Sequence, residues 1–516
     1  MGRVAVGLLV FIAALGVLFP TGFASATGVA LAQTLASFGW LYLLVVSGLL
    51  LCMLYLAFGR HGSTRLGGPD AVPEFSMHSW FAMLFSAGMG IGLVYFGAAE
   101  PLAHYLSPPE GLTGQTPEAA RVAMRYAFFH SGLHPWAVYG LVGLAMAHAR
   151  YNRGSSGRMS DLLTPLLGTR ARGRLGQAVD LLAILATVGG VATTLGYGAV
   201  QIASGLSKLT GWSPGIATQL IVIAVATLLF MLSAASGLHK GVKYLSNTNL
   251  ALMLALLVAV LVLGPTRFIL EILTSTVGSY VNQLPGMSLR LSPFTHGTWA
   301  ATWTIFYWAW WMSWAPFVGT FIAQISRGRT IREFVIGVLL APSLLGVIWY
   351  SVFGGAALHQ QMFEGRDLAS VAAQGSEGVL FAVFDGFPLS IVLSVVALVL
   401  LITFFVTSAD SATLVLVSMA EPGEDRAPSL RSKVTWGLLQ SGIAVALLAS
   451  GGLGGLRAAA VVTALPLCFI LAGVAWSLVR RLTTDEAEQR AEEIVRRRRI
   501  DALLDPRSQD EKAAAE

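Results

Sequence analysis

The sequence predicts an all-α, polytopic membrane protein with twelve transmembrane helices, and three observations carry that prediction. Of the 516 residues, 55% are hydrophobic and only 12% charged, with a mean hydropathy of +0.70, whereas a soluble domain is about one-quarter charged. The apolar residues gather into runs near the length of roughly 20 residues that one bilayer crossing needs. The basic residues concentrate in alternate loops, as the positive-inside rule requires. A water-soluble enzyme is thereby excluded. The net charge of +6 and the pI near 9.4 are explained without nucleic acid as a partner.

In chain order the runs cover residues 4–24, 37–58, 79–99, 123–148, 178–204, 217–235, 248–265, 299–323, 334–357, 388–418, 434–451 and 457–479. The first, between Arg3 and Ala24-Ser25-Ala26, imitates a cleavable signal peptide. Its length, and the even count it completes, favour a retained helix with both termini cytoplasmic. In that orientation about 26 of the 33 Lys and Arg residues lie inside. Outside loops carry Glu110, Glu118, Glu364, Asp367, Glu377 and Asp385 instead. Between the seventh and eighth runs, Thr266–Val281 reads either as an amphipathic interfacial helix or as a long loop. Cys52 and Cys468 both fall in apolar runs, so no disulfide framework or thiolate site is expected.

Four places carry chemistry. The third run contains Gly88-Met89-Gly90-Ile91-Gly92, and each glycine costs a helix roughly 1 kcal/mol relative to alanine. Such a segment either lines a cavity, its freed carbonyls ligating Na⁺ and its freed N–H groups facing an anionic substrate group, or packs helices closely through Gly88-x-x-x-Gly92. The fourth run holds His130, Ser131, His134 and Pro135, with Trp136 and Tyr139 one turn apart; Pro135 is expected to bend it. His130 and His134, at i and i+4, also suit a metal pair, which leaves a membrane metal enzyme as an alternative.

The eighth run is aromatic: five of the thirteen tryptophans fall within residues 303–314. At about 100° per residue Trp303, Tyr307, Trp310 and Trp314 share one face, with Trp311 beside it. An interfacial belt accounts for Trp299 and Trp303 but not for tryptophans beyond the helix midpoint. A stack of indole faces there suits a quaternary ammonium, which has no N–H to donate and is held by cation–π attraction. Pro316 and Gly319 mark where this helix can open. In the tenth run the hydroxyls of Thr407 and Ser408, with backbone carbonyls, offer oxygens for an alkali cation, or simply hydroxyls bonded to the preceding turn. The nearby Asp410 calls for a partner. The tail beyond Leu482 sets Asp485, Glu486, Glu488, Glu492 and Glu493 ahead of Arg496–Arg499, a pattern that suits anionic lipids or a solvated anchor.

Taken as strings, Ser86-Ala87-Gly88-Met89-Gly90-Ile91-Gly92, Ala99-Glu100-Pro101-Leu102, Leu133-His134-Pro135-Trp136-Ala137-Val138-Tyr139, Trp308-Ala309-Trp310-Trp311-Met312-Ser313-Trp314, Ile325–Phe334 and Thr407-Ser408-Ala409-Asp410-Ser411 resemble the betaine/carnitine/choline transporter family. The resemblance runs from about residue 5 to 482 and comes nearest to the sodium-coupled glycine betaine carriers. It implies LeuT-type inverted five-helix repeats in helices 3–12. The divisions are then 1–60 (two N-terminal helices), 61–285 (first repeat with the interfacial helix), 286–481 (second repeat) and 482–516 (charged cytoplasmic tail). It also implies a homotrimer in a bacterial cytoplasmic membrane and a zwitterionic quaternary ammonium substrate, with Na⁺ as coupling ion and no other cofactor.

By the same resemblance, Trp136, Tyr139, Trp310, Trp311 and Trp314 form an aromatic box, with Met89, Gly90 and Gly92 beside it. Ser86, Met89, Phe404, Thr407 and Ser408 hold Na⁺. Two departures stand out. Ser131 replaces a tryptophan of the box, which opens one wall to a bulkier solute. A second Na⁺ site at Thr187 and Phe317 lacks a ligand, because Val191 stands where a second threonine is expected. Gly92 in place of an aspartate favours a zwitterion over a net cation. Proton-coupled or exchanging transport of choline, carnitine, ectoine or a sulfonium betaine remains the alternative.

Overall fold

A computed structural model describes the backbone of residues 2–88, 90–155, 157–236, 239–295, 297–421 and 429–504, and their side chains except at 87–88, 234–236, 239–243, 489 and 502–504. Met89 and the tail beyond Leu504 therefore lie outside the described residues. The long helices are α1 (Gly2–Leu18), α2 (Pro20–Phe58), α3 (Met77–Gly88), α4 (Ile91–Leu106), α5 (Pro117–Ser131), α6 (Leu133–Arg153) and α7 (Arg174–Thr210), followed by α8 (Ile216–Ser236), α9 (His239–Leu263), α10 (Thr266–Ser288), α11 (Phe306–Gln324), α12 (Ile331–Phe363), α13 (Ser390–Ala420) and α14 (Leu430–Leu504). Among the described residues the β-type pairing is a single bridge, Arg65 to Thr330.

Among the described residues each apolar run falls mainly on helix. Seven helices among these residues are long and apolar enough to cross a membrane, or eight if the bent pair α3 and α4 is one span. Large apolar side chains such as Leu228, Val258, Val262, Leu344 and Ile391 are exposed on the outer faces, which water penalises and lipid accepts. The chain is a multi-pass membrane protein.

Several boundaries differ from the sequence expectation. The first run breaks early, at Phe19, and Pro20 then sits in the first turn of a 39-residue helix, where its missing N–H costs nothing. The fourth run is two helices: α5 ends at Ser131 and α6 begins at Leu133. The break is thus at Gly132, not at the proline. Pro135 occupies the first turn of α6, where no amide has a helical partner to lose, and the freed Leu133 N–H donates to the Tyr280 hydroxyl at 3.1 Å. Nor does the eighth run open at Pro316. Helix α11 continues through it, and the irregularity is a π turn at Ala301–Ile305. Thr266–Ser288 is a 23-residue helix rather than a loop. The last two runs are joined at Gly452, whose φ of 54° a side chain would disfavour.

Packing places α11 at the centre, against α6, α7 and α14, while α4 lies on α12 and α5. The start of the charged tail is docked rather than solvated. His61 Nδ1 meets Glu486 at 2.6 Å, His148 Nε2 meets Asp485 at 2.9 Å, and Arg153 pairs with Asp485 and, at 2.8 Å, with Glu488.

Candidate functional site

The break between α3 and α4 bends the chain by 68°, and Gly90 before it is extended, with φ near −165°. A bend of this size removes helical partners from the backbone on both sides, and it faces a cavity of about 600 Å³. Lining that cavity are Ser86, Gly90 and Gly92 from the bend, Ser131, Trp136 and Tyr139 from α5 and α6, Trp310, Trp311, Trp314 and Phe317 from α11, and Phe404, Thr407 and Ser408 from α13. Four separate helical regions thus bring the predicted residues to one space. No Asp, Glu, Lys, Arg or His lines it among the described residues.

Indole and phenol rings make up one end. Trp310 and Trp311 lie parallel, 5.2 Å apart and 6° inclined; Tyr307 stacks on Trp311 at 5.7 Å; Tyr139 stands edge-on to Trp311 at 6.2 Å and to Trp136 at 5.5 Å. Hydrogen bonds fix the indoles in place. Trp310 Nε1 donates to Thr194 Oγ1 at 3.1 Å, and Trp311 Nε1 donates to the His130 carbonyl at 3.0 Å. Trp314 Nε1 is buried with no partner, and the neighbouring Cδ1 lies against Gly190 of α7. A Cβ on Gly92 would stand 2.9 Å from Trp310 Cη2, so the absent side chain lets that ring reach the bend. Ser131 adds no ring.

Beyond Trp310 the cavity is shut. Tyr197 and Phe306 stack on it at 5.6 and 5.5 Å, Phe96 meets it edge-on at 6.1 Å, and Arg457 lies over Phe306 and Trp303 at 5.2 and 5.8 Å. The other end is open and hydroxylic. Its lining descends through Thr320, Gln324, Ser411 and Ser418 to the face that carries the 325–330 loop.

Oxygen donors for a hard cation cluster toward the open end. Thr407 Oγ1 lies 2.9 Å from the Thr403 carbonyl and 3.3 Å from that of Phe404, and receives Asn249 Nδ2 at 3.1 Å. Asn249 Oδ1 is a buried oxygen without a partner. An all-oxygen set with one orphaned oxygen fits Na⁺ in donor chemistry, and Asn249 was not predicted. At the second expected site, Thr187 is buried outside the cavity lining and its hydroxyl donates to the Ala183 carbonyl at 2.8 Å. Phe317 does line the cavity. Thr194, two turns along α7 from Thr187, contributes instead.

The histidines do not form the expected pair. The chain break at Gly132 separates them: His134 Nε2 meets Ser288 Oγ at 3.1 Å and its ring stacks on Trp308, while His130 turns to Glu100. Glu100 Oε1 accepts from His130 Nδ1 at 2.6 Å and His104 Nε2 at 3.1 Å, and Oε2 accepts from Tyr307 at 2.6 Å and Tyr350 at 3.1 Å. All of these are buried. The Glu100, His104 and His130 donor atoms lie within 4.8 Å of one another, but the short nitrogen–oxygen contacts are direct hydrogen bonds. This network stands behind Tyr307 and Tyr350, which line the cavity. Its carboxylate lies inside a recognisable string and His104 follows it at i+4, but the other three donors come from three other helices.

The profile of the family described as "BCCT, betaine/carnitine/choline family transporter" matches residues 2–487. The glycine betaine transporter OpuD of Bacillus subtilis (strain 168) is 47% identical over 476 residues, 92% of this chain and 92% of its own. Glycine betaine transporter 1 of Vibrio parahaemolyticus is 43% identical over 461 residues, 88% of this chain and 87% of its own. An ectoine/hydroxyectoine transporter of Virgibacillus pantothenticus is 40% identical over 461 residues, 89% of this chain and 91% of its own.

Proposed function

This chain belongs to the betaine/carnitine/choline transporter family, whose members are transporters and not enzymes, and on that premise we propose that it imports a zwitterionic quaternary ammonium solute of the glycine betaine type together with Na⁺. One observation carries the reading: a cavity walled by Trp136, Tyr139, Trp310, Trp311 and Trp314 with no charged side chain among the described residues. Ring faces attract a cation that cannot hydrogen-bond, by roughly 2 kcal/mol or more when water is excluded. A net cation would remain unbalanced in such a space, whereas a zwitterion brings its own carboxylate.

In this reading Ser86, Thr407, Ser408, the Phe404 carbonyl and Asn249 hold Na⁺, which links solute binding to the ion gradient. The architecture proposed with it is twelve membrane helices, of which the last ten form two inverted repeats. Alternating access would then rock α3 and α4 against α11 around the midplane site. We place both termini in the cytoplasm of a bacterial cell, from the loop charges, and propose a homotrimer. The open end of the cavity is then cytoplasmic.

A second solute class is favoured by Ser131, whose small side chain leaves a wall without a ring; ectoine-like solutes are bulkier and fit that gap. The deciding experiment is uptake of labelled glycine betaine into proteoliposomes with and without an inward Na⁺ gradient, with ectoine, choline and carnitine as competitors. Gradient-dependent, saturable uptake supports the proposal. Uptake indifferent to Na⁺ rejects the coupling, and uptake of labelled ectoine where glycine betaine is not taken up moves the substrate.

A further inference from the structure

The gap at Ser131 carries an oriented hydroxyl. Ser131 closes α5 and lines the central cavity, partly exposed, beside Tyr307 and Tyr350, which are each 1% exposed. Both phenols give their protons to the protein: Tyr307 and Tyr350 donate to Glu100 Oε2, at 2.6 and 3.1 Å. A phenol carries one proton, so toward any other neighbour these oxygens can only accept. The Ser131 side chain lies within hydrogen-bonding reach of Tyr350. A bond between the two therefore runs one way, from the serine O–H to the tyrosine oxygen, and leaves the lone pairs of Ser131 Oγ for the cavity. The buried carboxylate thus sets the polarity of a chain from Glu100 through Tyr350 to Ser131, whose outer end is an acceptor.

That acceptor stands beside the rings that attract a cation. Trp311 Nε1 donates to the carbonyl of His130, the residue before Ser131, at 3.0 Å, so the serine borders the stacked indoles. On α12, Gly346 lies one turn before Tyr350 and also lines the cavity; a Cβ there would stand 3.6 Å from Ser131 Cβ, so the space beside the serine is left unfilled from this side too. Thr194, the hydroxyl beside Trp310, is by contrast occupied, receiving the Trp310 N–H at 3.1 Å and donating to the Gly190 carbonyl at 3.2 Å. A quaternary ammonium has no proton to give Ser131. An amidinium or a protonated amine does.

We propose that Ser131 determines solute specificity by accepting an N–H from the cationic head, so that the carrier prefers zwitterions whose cation keeps an N–H, an amidinium or a partly methylated ammonium, over fully methylated ones. The inference rests on the transport reading above and ranks the solutes within it. Ring faces attract either kind of cation, but only the N–H satisfies the oriented chain, and a site made to receive a hydrogen bond discriminates against the analogue that lacks it.

The test is binding to the full-length protein in detergent near neutral pH, read by quenching of tryptophan fluorescence, for ectoine, dimethylglycine and glycine betaine. Ectoine is an amidinium, and glycine betaine differs from protonated dimethylglycine by one methyl in place of the N–H. The wild type should bind ectoine and dimethylglycine more tightly than glycine betaine. In Ser131→Ala the affinity ratio of each to glycine betaine should fall about tenfold, or about 1.4 kcal/mol, and in Ser131→Trp at least as far. Ser131→Thr, which keeps the hydroxyl, should retain most of the preference. The alanine variant keeps the test decisive if the tryptophan variant folds poorly. A ratio unchanged in Ser131→Ala, or a wild type that favours glycine betaine over dimethylglycine, overturns this proposal and leaves the transport reading standing. Binding of none of the three overturns both.

Discussion

The two ends of the central cavity are built on opposite principles. At the shut end, rings stack on rings from α4, α7 and α11, an arginine lies over two of them, and a carboxylate with four donors braces the tyrosines behind. At the open end the polar part of the wall is hydroxyls and the amides of Asn249 and Gln324, with Thr320, Thr407 and Ser418 bonded along their own helices. Packed rings and a satisfied buried network resist water and hold one geometry. Hydroxyls that can exchange a helical carbonyl for water or an ion tolerate several. The difference teaches that solute selection and closure belong to the first end, and ion and water access to the second.

The strongest way to break this contrast is Glu100→Ala. Removing the shared acceptor strands His104, His130, Tyr307 and Tyr350 in the interior, and losing one partner of a buried charged set costs about 3–5 kcal/mol. A clear fall in unfolding temperature together with loss of uptake is expected; an unchanged melting curve would deny the network its bracing role. Next in size is Trp310→Ala. It removes a ring that faces the cavity and also plugs it, and about 2 kcal/mol of cation–π attraction corresponds to a roughly 30-fold weaker half-saturation for glycine betaine. Uptake normalised to membrane protein checks it, and unaltered affinity would reject the box.

Gly92→Ala sharpens the comparison from the other side of the same contact. Its methyl would push against Trp310 at 2.9 Å, and overpacking typically costs about 1–3 kcal/mol. We expect reduced affinity that Trp310→Phe partly restores; no loss in the single variant would mean that the bend yields freely. At the open end, Thr407→Ala with Ser408→Ala should abolish the stimulation of uptake by Na⁺ while leaving the ring-dependent competition order intact. A Na⁺ curve superimposable on wild type would sink the ion assignment.

The smallest effect concerns the tail docked on the open face. Burial raises the Asp485 carboxyl, but His148 and Arg153 outweigh it and hold its pKa below the ordinary aspartate value. This contact therefore stabilises docking above the ordinary carboxylate range and is lost as pH falls through the depressed value. Arg153→Gln should move that loss to higher pH, with an effect of about 1 kcal/mol or less, read by protease access to the tail between pH 3 and 6 (about the range where carboxylates titrate). A pH profile identical to wild type would remove Asp485 from the clasp.

Much of this arrangement was legible in the amino-acid order. Apolar runs marked the helices because lipid requires them, and the repeat of Trp303, Tyr307, Trp310 and Trp314 marked a face because helical geometry allows no other reading. What escaped was set by contacts distant in the chain. Pro135 looked like the bend, but the break is at Gly132, where Tyr280 from α10 receives the freed amide. Pro316 looked like an opening, but α11 runs through it. Asn249 and Thr194 come to the site, and Tyr350 to Glu100, from helices whose local sequence carries no mark of it, and the alternative that paired His130 with His134 fails because the chain breaks at Gly132 between them.

The uncharged lining of the central cavity has a consequence for energetics. With no side-chain charge there among the described residues to offset a bound ion, the proposed pairing of one neutral zwitterion with Na⁺ carries the ion's full charge through each cycle. Transport is then electrogenic, and the membrane voltage adds about 2.3 kcal/mol per charge for every ~100 mV, so accumulation should follow the electrical potential even when the sodium concentrations on the two sides are equal.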